Sequence, residues 1–130
     1  MILLDTHIIL WLVLEPELLS QKAKKAIQEM RSSGDGIAIS AITLFEIAQL
    51  VERGRVKLEI PVEQFLDAVE DTCVVLPIHS QIACRSQRFT EAYPRDPAHR
   101  IIGATAIAQG ISLVTADDRI RRSREVPTIW

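Results

Sequence analysis

Four acidic residues stand at positions from which they could hold a divalent cation. Asp5 ends the apolar run M-I-L-L-D, and Asp117 ends S-L-V-T-A-D. Glu46 lies in I-S-A-I-T-L-F-E, and Asp96 opens D-P-A-H-R-I-I-G-A-T-A. Clustered carboxylates repel one another unless a cation neutralises them, and their oxygens suit Mg²⁺ or Mn²⁺. A phosphodiester bond can be hydrolysed by a water molecule that is bound to such an ion and held by carboxylates.

An alternation of strands and helices must bring these acids together. Short apolar runs predict five strands: Ile2–Leu4, Gly36–Ile39, Val74–Ile78, Ser112–Thr115 and Thr128–Trp130. Apolar residues at helical spacing predict the helices: Thr6–Leu14, Ser20–Ser32, Thr43–Arg53, Pro61–Asp71, Ser80–Phe89 and Asp96–Gln109. Such an alternation favours a parallel sheet that is covered on both faces. The predicted fold class is therefore α/β, a three-layer α/β/α domain with about five parallel strands.

In a parallel sheet the carboxyl ends of the strands share one edge, where ligands bind. We expect Asp5 and Asp117 at that edge, with Glu46 starting from it. Asp96 reaches the same edge if its helix runs antiparallel to the strands. Each acid also has a purely structural interpretation, because Asp is a common N-cap, Thr43-x-x-Glu46 matches a capping box, and Asp96 precedes a proline. These interpretations leave the convergence of four acids unexplained.

The composition narrows the classes of protein to which the chain can belong. The 130 residues favour one domain, 1–130, and 48% hydrophobic with 25% charged residues is ordinary for a soluble globular protein. Asp5 and His7 interrupt the apolar N-terminus, which lacks a basic start and predicts neither a signal peptide nor a membrane span. The cysteines, Cys73 and Cys84, lie in apolar stretches and are expected to be small buried residues in a reducing cytoplasm.

Contact with nucleic acid depends on local arginines, because a net charge of −2 gives the whole molecule no attraction for a polyanion. Two groups could hold a phosphate backbone beside the acids: Arg85, Arg88, Arg95 and Arg100, and Arg119, Arg121, Arg122 and Arg124. A solvated surface with ion pairs is the alternative for each of them. The chain has no glycine-rich phosphate loop, zinc-finger spacing or nucleophile elbow.

Four stretches together resemble a known family. They are M-I-L-L-D-T-H-I-I-L-W, I-S-A-I-T-L-F-E-I-A, D-P-A-H-R-I-I-G-A-T-A-I-A and L-V-T-A-D-D-R-I. In order, spacing and chain length they are similar to PIN-domain ribonucleases, specifically VapC-type toxins of type II toxin–antitoxin pairs. The resemblance covers essentially the whole chain. It implies a PIN fold, Mg²⁺- or Mn²⁺-dependent cleavage of RNA by an endoribonuclease, neutralisation by a cognate VapB-type antitoxin, and often a homodimer. The apolar helices 6–14 and 43–53 could supply surface for the antitoxin or a second copy.

The resemblance implies an active-site role for Asp5, Glu46 and Asp117. We expect Asp5 and Asp117 to ligate the metal, with Asp96 completing the acidic ring. Glu46 is expected to orient a metal-bound water or to act as a base. Contacts that support the acids or touch the substrate are expected from His99, Asp118, Ser40, Thr115 and Arg100.

Position 99 departs from the family pattern, which commonly has an acid directly before the arginine, whereas this chain has His99 before Arg100. This departure leaves three outcomes open. Asp96 substitutes for the missing acid, or His99 itself binds Mn²⁺ or a softer ion, or the metal site is weakened. The last outcome gives an alternative function, a catalytically weakened PIN-like domain that binds RNA or a protein partner. A receiver-like phosphorylation domain also places aspartates at strand ends. It would need an early acidic pair and a lysine at the end of the fifth strand, and the chain has neither.

Overall fold

The five predicted strands form one parallel sheet. The computed structural model describes all 130 residues. The strands are β1 (Ile2–Leu4), β2 (Ile37–Ser40), β3 (Val74–Leu76), β4 (Leu113–Val114) and β5 (Thr128–Ile129). They lie in the order β3-β2-β1-β4-β5, and every neighbouring pair is parallel. Because β1 is the central strand and pairs Leu4 with Val114, the residues that follow β1 and β4 lie side by side.

Seven helices connect the strands. They are α1 (Thr6–Leu14), α2 (Gln21–Ser33), α3 (Ala41–Glu52), α4 (Val62–Thr72), α5 (Ser80–Ser86), α6 (Pro97–Gln109) and α7 (Asp118–Ser123), with a single 3₁₀ turn at Pro16–Leu18. Their ends follow local chemistry: the Ser20 hydroxyl accepts from the amide of Ala23 at the start of α2, and Gly110 ends α6 at a φ of +63°.

The helices cover both faces of the sheet, as predicted. Side chains that alternate along the strands belong to two separate cores, so Leu4 packs in one and Leu3 in the other. The first core joins β1 and β2 to α1, α2, α3 and α4, whereas the second joins them to α5, α6 and α7. This arrangement confirms the three-layer α/β/α architecture. None of the helices combines the length and apolar character that crossing a membrane requires.

Some predicted boundaries are wrong, each for a local reason. Helix α3 begins at Ala41, two residues before the predicted start, because the Ser40 hydroxyl caps it by accepting from the amide of Ile42 at 3.4 Å. The capping box is therefore wrong, and Thr43 lies buried inside the helix. Strand β3 ends before Pro77, which has no N–H to donate to a neighbouring strand.

Two further expectations fail around α5. The helix ends at Ser86, three residues before Phe89. Cys84 was expected to be buried like Cys73, but α5 turns it towards solvent, and only Cys73 is buried. Burial, first of all, raises the pKa of the Cys73 thiol.

Candidate active site

Asp5 is a buried carboxylate at the centre of the sheet's carboxyl edge. It is 3% exposed, follows β1 directly and caps α1. Its Oδ1 accepts from the amide of Thr6 at 2.8 Å, and its Oδ2 accepts from the hydroxyl of Thr115 at 2.6 Å. No basic side chain pairs with it. Two donors thus hold a buried negative charge in place, and no cation of the protein neutralises it.

Glu46 lies opposite Asp5 on α3. The Thr6 hydroxyl donates to its Oε1, and the hydroxyl oxygens of Thr6 and Thr43 lie 3.2 Å apart. Burial raises the pKa of the Glu46 carboxyl, and the negative charges of Asp5 and Asp96 raise it further. Two of the other predicted acids, Asp5 and Asp96, therefore lie within electrostatic reach of Glu46.

Asp117 reaches the same edge from β4. It caps α7, its Oδ1 accepting from the amide of Ile120 at 2.8 Å, and its own amide donates to the Thr115 hydroxyl at 3.1 Å. One threonine therefore links Asp117 to Asp5. Both carboxylates also act on the buried phenol of Tyr93, because burial and the charges of Asp5 and Asp117 raise the pKa of that group. The hydrogen bond expected from Thr115 to a carboxylate is present.

Asp96 and His99 form the first turn of α6. The Asp96 Oδ2 accepts from the amide of His99 at 3.2 Å, as an N-cap does, and lies 3.4 Å from the His99 Nδ1. That nitrogen is buried, and although it lies within ion-pair distance of Asp96, its geometry makes no hydrogen bond. His99 opposes the rise in the pKa of Glu46, so it also lies near that carboxyl. The residue in the acid's expected place therefore faces two acids.

Three other predicted residues make their contacts outside this cluster of acids. Asp118 is exposed and pairs with Arg122 at 2.7 Å, and Ser40 is taken up in capping α3. Arg100 is half-buried, and its Nε donates to the carbonyl of Pro94 at 3.0 Å. None of the three makes a hydrogen bond to Asp5, Glu46, Asp96 or Asp117.

Sequence reasoning missed two residues of the site, Thr6 and Tyr93. Thr6 bridges Asp5 and Glu46, and its signal was a hydroxyl residue directly after an acid at a strand end. Tyr93 is fully buried, and its hydroxyl donates to the carbonyl of His99 at 2.7 Å. No local pattern marks Tyr93, because its contacts come from a helix that begins four residues later.

The donor set has the chemistry of a site for Mg²⁺ or Mn²⁺. It offers carboxylate oxygens from Asp5, Asp96 and Asp117, which such ions prefer. A cation among them would relieve the repulsion that Asp5 and Asp96 exert on Glu46. In this structure no three acidic, histidine or cysteine side chains converge closely enough to hold a metal. The chemical types of these side chains suit Mg²⁺ or Mn²⁺. Because they do not converge, binding the ion requires the side chains to move.

Comparison with known proteins agrees with this geometry. Residues 2–126 match the family model described as PIN domain. The chain is 37% identical over 131 residues to Ribonuclease VapC22 of Mycobacterium tuberculosis, which covers 99% of this chain and 98% of the relative.

Solved structures are similar over almost the full length. VapBC2 from Rickettsia felis, bound to a DNA fragment from its promoter, gives a TM-score of 0.74 at 18% identity and covers 98% of this chain and 97% of the other. DNA-bound VapBC from Salmonella typhimurium gives 0.71 at 20% identity, with the same coverage. A toxin–antitoxin complex from Klebsiella pneumoniae gives 0.60 at 25% identity, over 90% and 87% of the two chains. The first two likenesses bear on the fold alone. Together with the match over residues 2–126 and the 37% identity, they show that the chain belongs to the PIN domain family, among the VapC ribonucleases.

Proposed function

We propose that this chain is a metal-dependent endoribonuclease toxin of a VapBC-type pair. One observation carries the proposal: Asp5 is buried without a basic partner, yet it faces Glu46 and lies one threonine away from Asp117. An unneutralised buried carboxylate is costly, and a fold retains such an arrangement for a purpose. Family membership supports cleavage of RNA as that purpose. RNA as the substrate also favours a cytoplasmic location.

Each acid has a distinct role in the proposal. Asp5 and Asp117 would hold Mg²⁺ or Mn²⁺, and Asp96 would complete the site from α6. A bound ion of this kind lowers the pKa of its water and stabilises charge on the phosphate oxygens. Glu46 orients the attacking water or accepts its proton, and a carboxyl with a raised pKa is better suited to that task than an ordinary one.

The hydroxyl residues position these acids. The Thr115 hydroxyl and the Thr6 backbone amide each donate to one oxygen of Asp5, and the Thr6 hydroxyl donates to Glu46. His99 and Arg100 lie at the start of α6, where they could contact a substrate phosphate. Asp118 remains a candidate for a supporting contact, reached only if it releases Arg122.

Cleavage of RNA by the purified protein with Mg²⁺ or Mn²⁺ tests the proposal. Asp5→Asn keeps the size of the side chain and should abolish cleavage. Asp67→Asn is the matched control, because Asp67 is exposed on α4 and should leave the rate unchanged. Equal activity of wild-type protein and Asp5→Asn would show that the acids do not form the active site.

A catalytically weakened domain that binds RNA or a protein is the second candidate. His99 in the place of an acid favours it, as does the absence of three converging metal ligands. Calorimetric titration separates the two functions. Failure to bind Mn²⁺ at about millimolar concentration would favour the weakened domain.

An antitoxin is the proposed protein partner. A groove of about 940 Å³ runs along α1, the end of α3, the loop after α3 and the start of α4. Exposed apolar residues Val13, Leu14 and Ile60 line it. Its acidic and basic lining residues are equal in number: Glu15, Glu59, Arg55 and Lys57. It fits a mainly apolar segment of the antitoxin. Leu14→Glu should prevent copurification with the product of a neighbouring antitoxin gene and leave ribonuclease activity intact.

A homodimer is also proposed, through α3. Phe45 on this helix is 59% exposed, far more than a large aromatic residue usually is on a monomer surface. Light scattering of wild-type protein should give the mass of two chains, and Phe45→Glu should give the mass of one. A monomeric wild-type protein would contradict this part of the proposal.

A further inference from the structure

The cationic residues are unevenly distributed over the surface. Residues 85–124 carry eight of the chain's 15 lysines and arginines, and all eight are arginines. They belong to the layer of α5, α6 and α7 and to the loops between these helices. Helix α4, in the opposite layer, carries no base and four acids, Glu63, Asp67, Glu70 and Asp71. The net charge of −2 thus conceals an uneven distribution, with an arginine-rich layer on one face of the sheet and an acidic α4 on the other.

A cleft of about 390 Å³ opens within the arginine-bearing layer, between the end of α5 and the first turn of α6. Arg95 and Arg100 line it together with Gln87. Its only acid is Glu91, whose side chain is 93% exposed and lies 3.9 Å from the Arg95 guanidinium. An ion pair as exposed as this contributes little, so Arg95 is available to an anionic ligand.

The guanidinium of Arg100 is held in place by the protein backbone. Its Nε donates to the carbonyl of Pro94 at 3.0 Å, and no carboxylate pairs with its guanidinium. Arg85, at the end of α5, has a buried Nη1 without a hydrogen-bond partner. A guanidinium held by one N–H keeps the others for phosphate oxygens, which it can bind in pairs.

The walls of the cleft favour the backbone of a nucleic acid over its bases. Phe89 is the only aromatic residue there, and it is 7% exposed. Tyr93 stacks on its ring at 4.0 Å between ring centres, and the Arg85 guanidinium lies 4.7 Å from the ring centre. A base therefore finds no open aromatic face on which to stack.

We propose that this cleft binds the phosphodiester backbone of the RNA on one side of the scissile bond. The inference rests on the proposed function, because it takes RNA as the substrate. Arg100 lines the cleft and lies one helical turn from Asp96, so the cleft adjoins the acids at the start of α6. Contacts to phosphate position the strand without reading its sequence, so binding here is tolerant of base identity.

Helix α7 is the competing surface, and its charges are less available. Arg122 lies at hydrogen-bond distance from Asp118, 2.7 Å, whereas Arg95 and Glu91 are 3.9 Å apart, and the Arg122 Nε is also directed to the carbonyl of Asp118. Asp117 and Asp118 directly precede the arginines of this segment, and Glu125 directly follows them. Phosphate affinity should therefore be greater at the cleft than at α7.

Fluorescence anisotropy with a short labelled single-stranded RNA tests the inference. The titration is made in EDTA, so that it reports binding without cleavage. Three charge-matched double variants are compared: Arg95→Gln/Arg100→Gln in the cleft, Arg119→Gln/Arg122→Gln at α7, and Lys22→Gln/Lys25→Gln on α2. Arg95→Gln alone, at an exposed position, guards against misfolding of the cleft variant.

The cleft variant should weaken binding about tenfold and reduce the slope of log Kd against log salt by about 1.4, the value for two contacts to a single strand. The single variant should show about half that change in slope. Oligo(U) and oligo(A) should be affected alike, and the α2 variant should bind as the wild type does. An equal or larger loss in the α7 variant, or no binding by wild-type protein, would overturn the inference. RNA cleavage by all variants is measured separately. If the cleft variant retains cleavage and its RNA binding is unchanged, only the role of the cleft is refuted. If the wild-type protein binds RNA but does not cleave it, only the proposed activity is refuted.

Discussion

Replacing Gly103 with alanine should destabilise the protein, although alanine is the better helix former by about 1 kcal/mol. Gly103 lies in the middle of α6, over the ring of Tyr93. A Cβ at this position would stand 2.2 Å from the Tyr93 hydroxyl oxygen, 2.8 Å from its Cζ and 3.0 Å from the Cζ of Phe89. The tyrosine has little room to yield, because it is fully buried, stacks on Phe89 and donates to the carbonyl of His99.

The cost follows from those contacts. Overpacking of a filled core costs about 1–3 kcal/mol, and losing the buried hydrogen bond of Tyr93 adds about 1 kcal/mol. Against the gain in helix propensity, the expected loss in the free energy of unfolding is about 1–3 kcal/mol, or roughly 4–11 °C in Tm for a chain of this size. Urea denaturation of wild-type protein and Gly103→Ala measures it.

A double-mutant cycle identifies the cause. Tyr93→Phe removes the oxygen at 2.2 Å, so Gly103→Ala should cost about 1 kcal/mol less in that background than in wild-type protein. A Gly103→Ala protein as stable as the wild type, or costs that add without coupling, would refute the packing described here. Since Tyr93 also holds the first turn of α6, Gly103→Ala should lose ribonuclease activity as well.

Substitutions at three other positions test the acidic site. Burial and negative neighbours raise the folded pKa of Glu46 above its ordinary value of 4.5, so its contribution to stability is present below that value and is lost as the pH rises through the folded pKa. Glu46→Gln should therefore raise Tm at pH 7 while abolishing activity, and a gain that persists at pH 4 would contradict this reasoning. Thr115→Val removes a donor from a buried carboxylate and should cost about 1.5–3 kcal/mol in urea denaturation, whereas Thr115→Ser should cost far less. His99→Asp adds a carboxylate to the site and should tighten Mn²⁺ binding in calorimetry at least about tenfold, and an unchanged affinity would show that position 99 does not face the metal.

The sequence predicted most of the fold because the fold depends on local patterns. Apolar runs mark the strands, and the parallel sheet then places Asp5 and Asp117 at one edge without knowledge of any side-chain contact. Ser40 shows the limit of such reasoning. Thr43 is the predicted start of α3, but the course of the backbone after β2 makes Ser40 the cap of the helix instead.

Contacts between elements distant in sequence could not be predicted. The bond from Thr6 to Glu46 joins residues 40 positions apart, and the packing of Tyr93 under Gly103 depends on the angle at which α6 crosses the preceding loop. The exposure of Cys84 depends on which side α5 turns to the sheet. Each of these features is set by tertiary packing, which composition and periodicity do not encode at single positions.

The pairing of β1 with β4 sets the time at which the toxin can become active during its own synthesis. Asp5 leaves the ribosome first, but the hydroxyl that holds its Oδ2 lies 110 residues further along the chain. Until Leu113 and Val114 emerge and pair with β1, the central strand lacks one of its two neighbouring strands, and Asp117 is absent from the edge. A contact this distant in sequence closes late, since chains fold from the N-terminus during synthesis and long-range pairing is slow. If Asp5 and Asp117 act as proposed, a fragment that ends before β4 therefore lacks the assembled site.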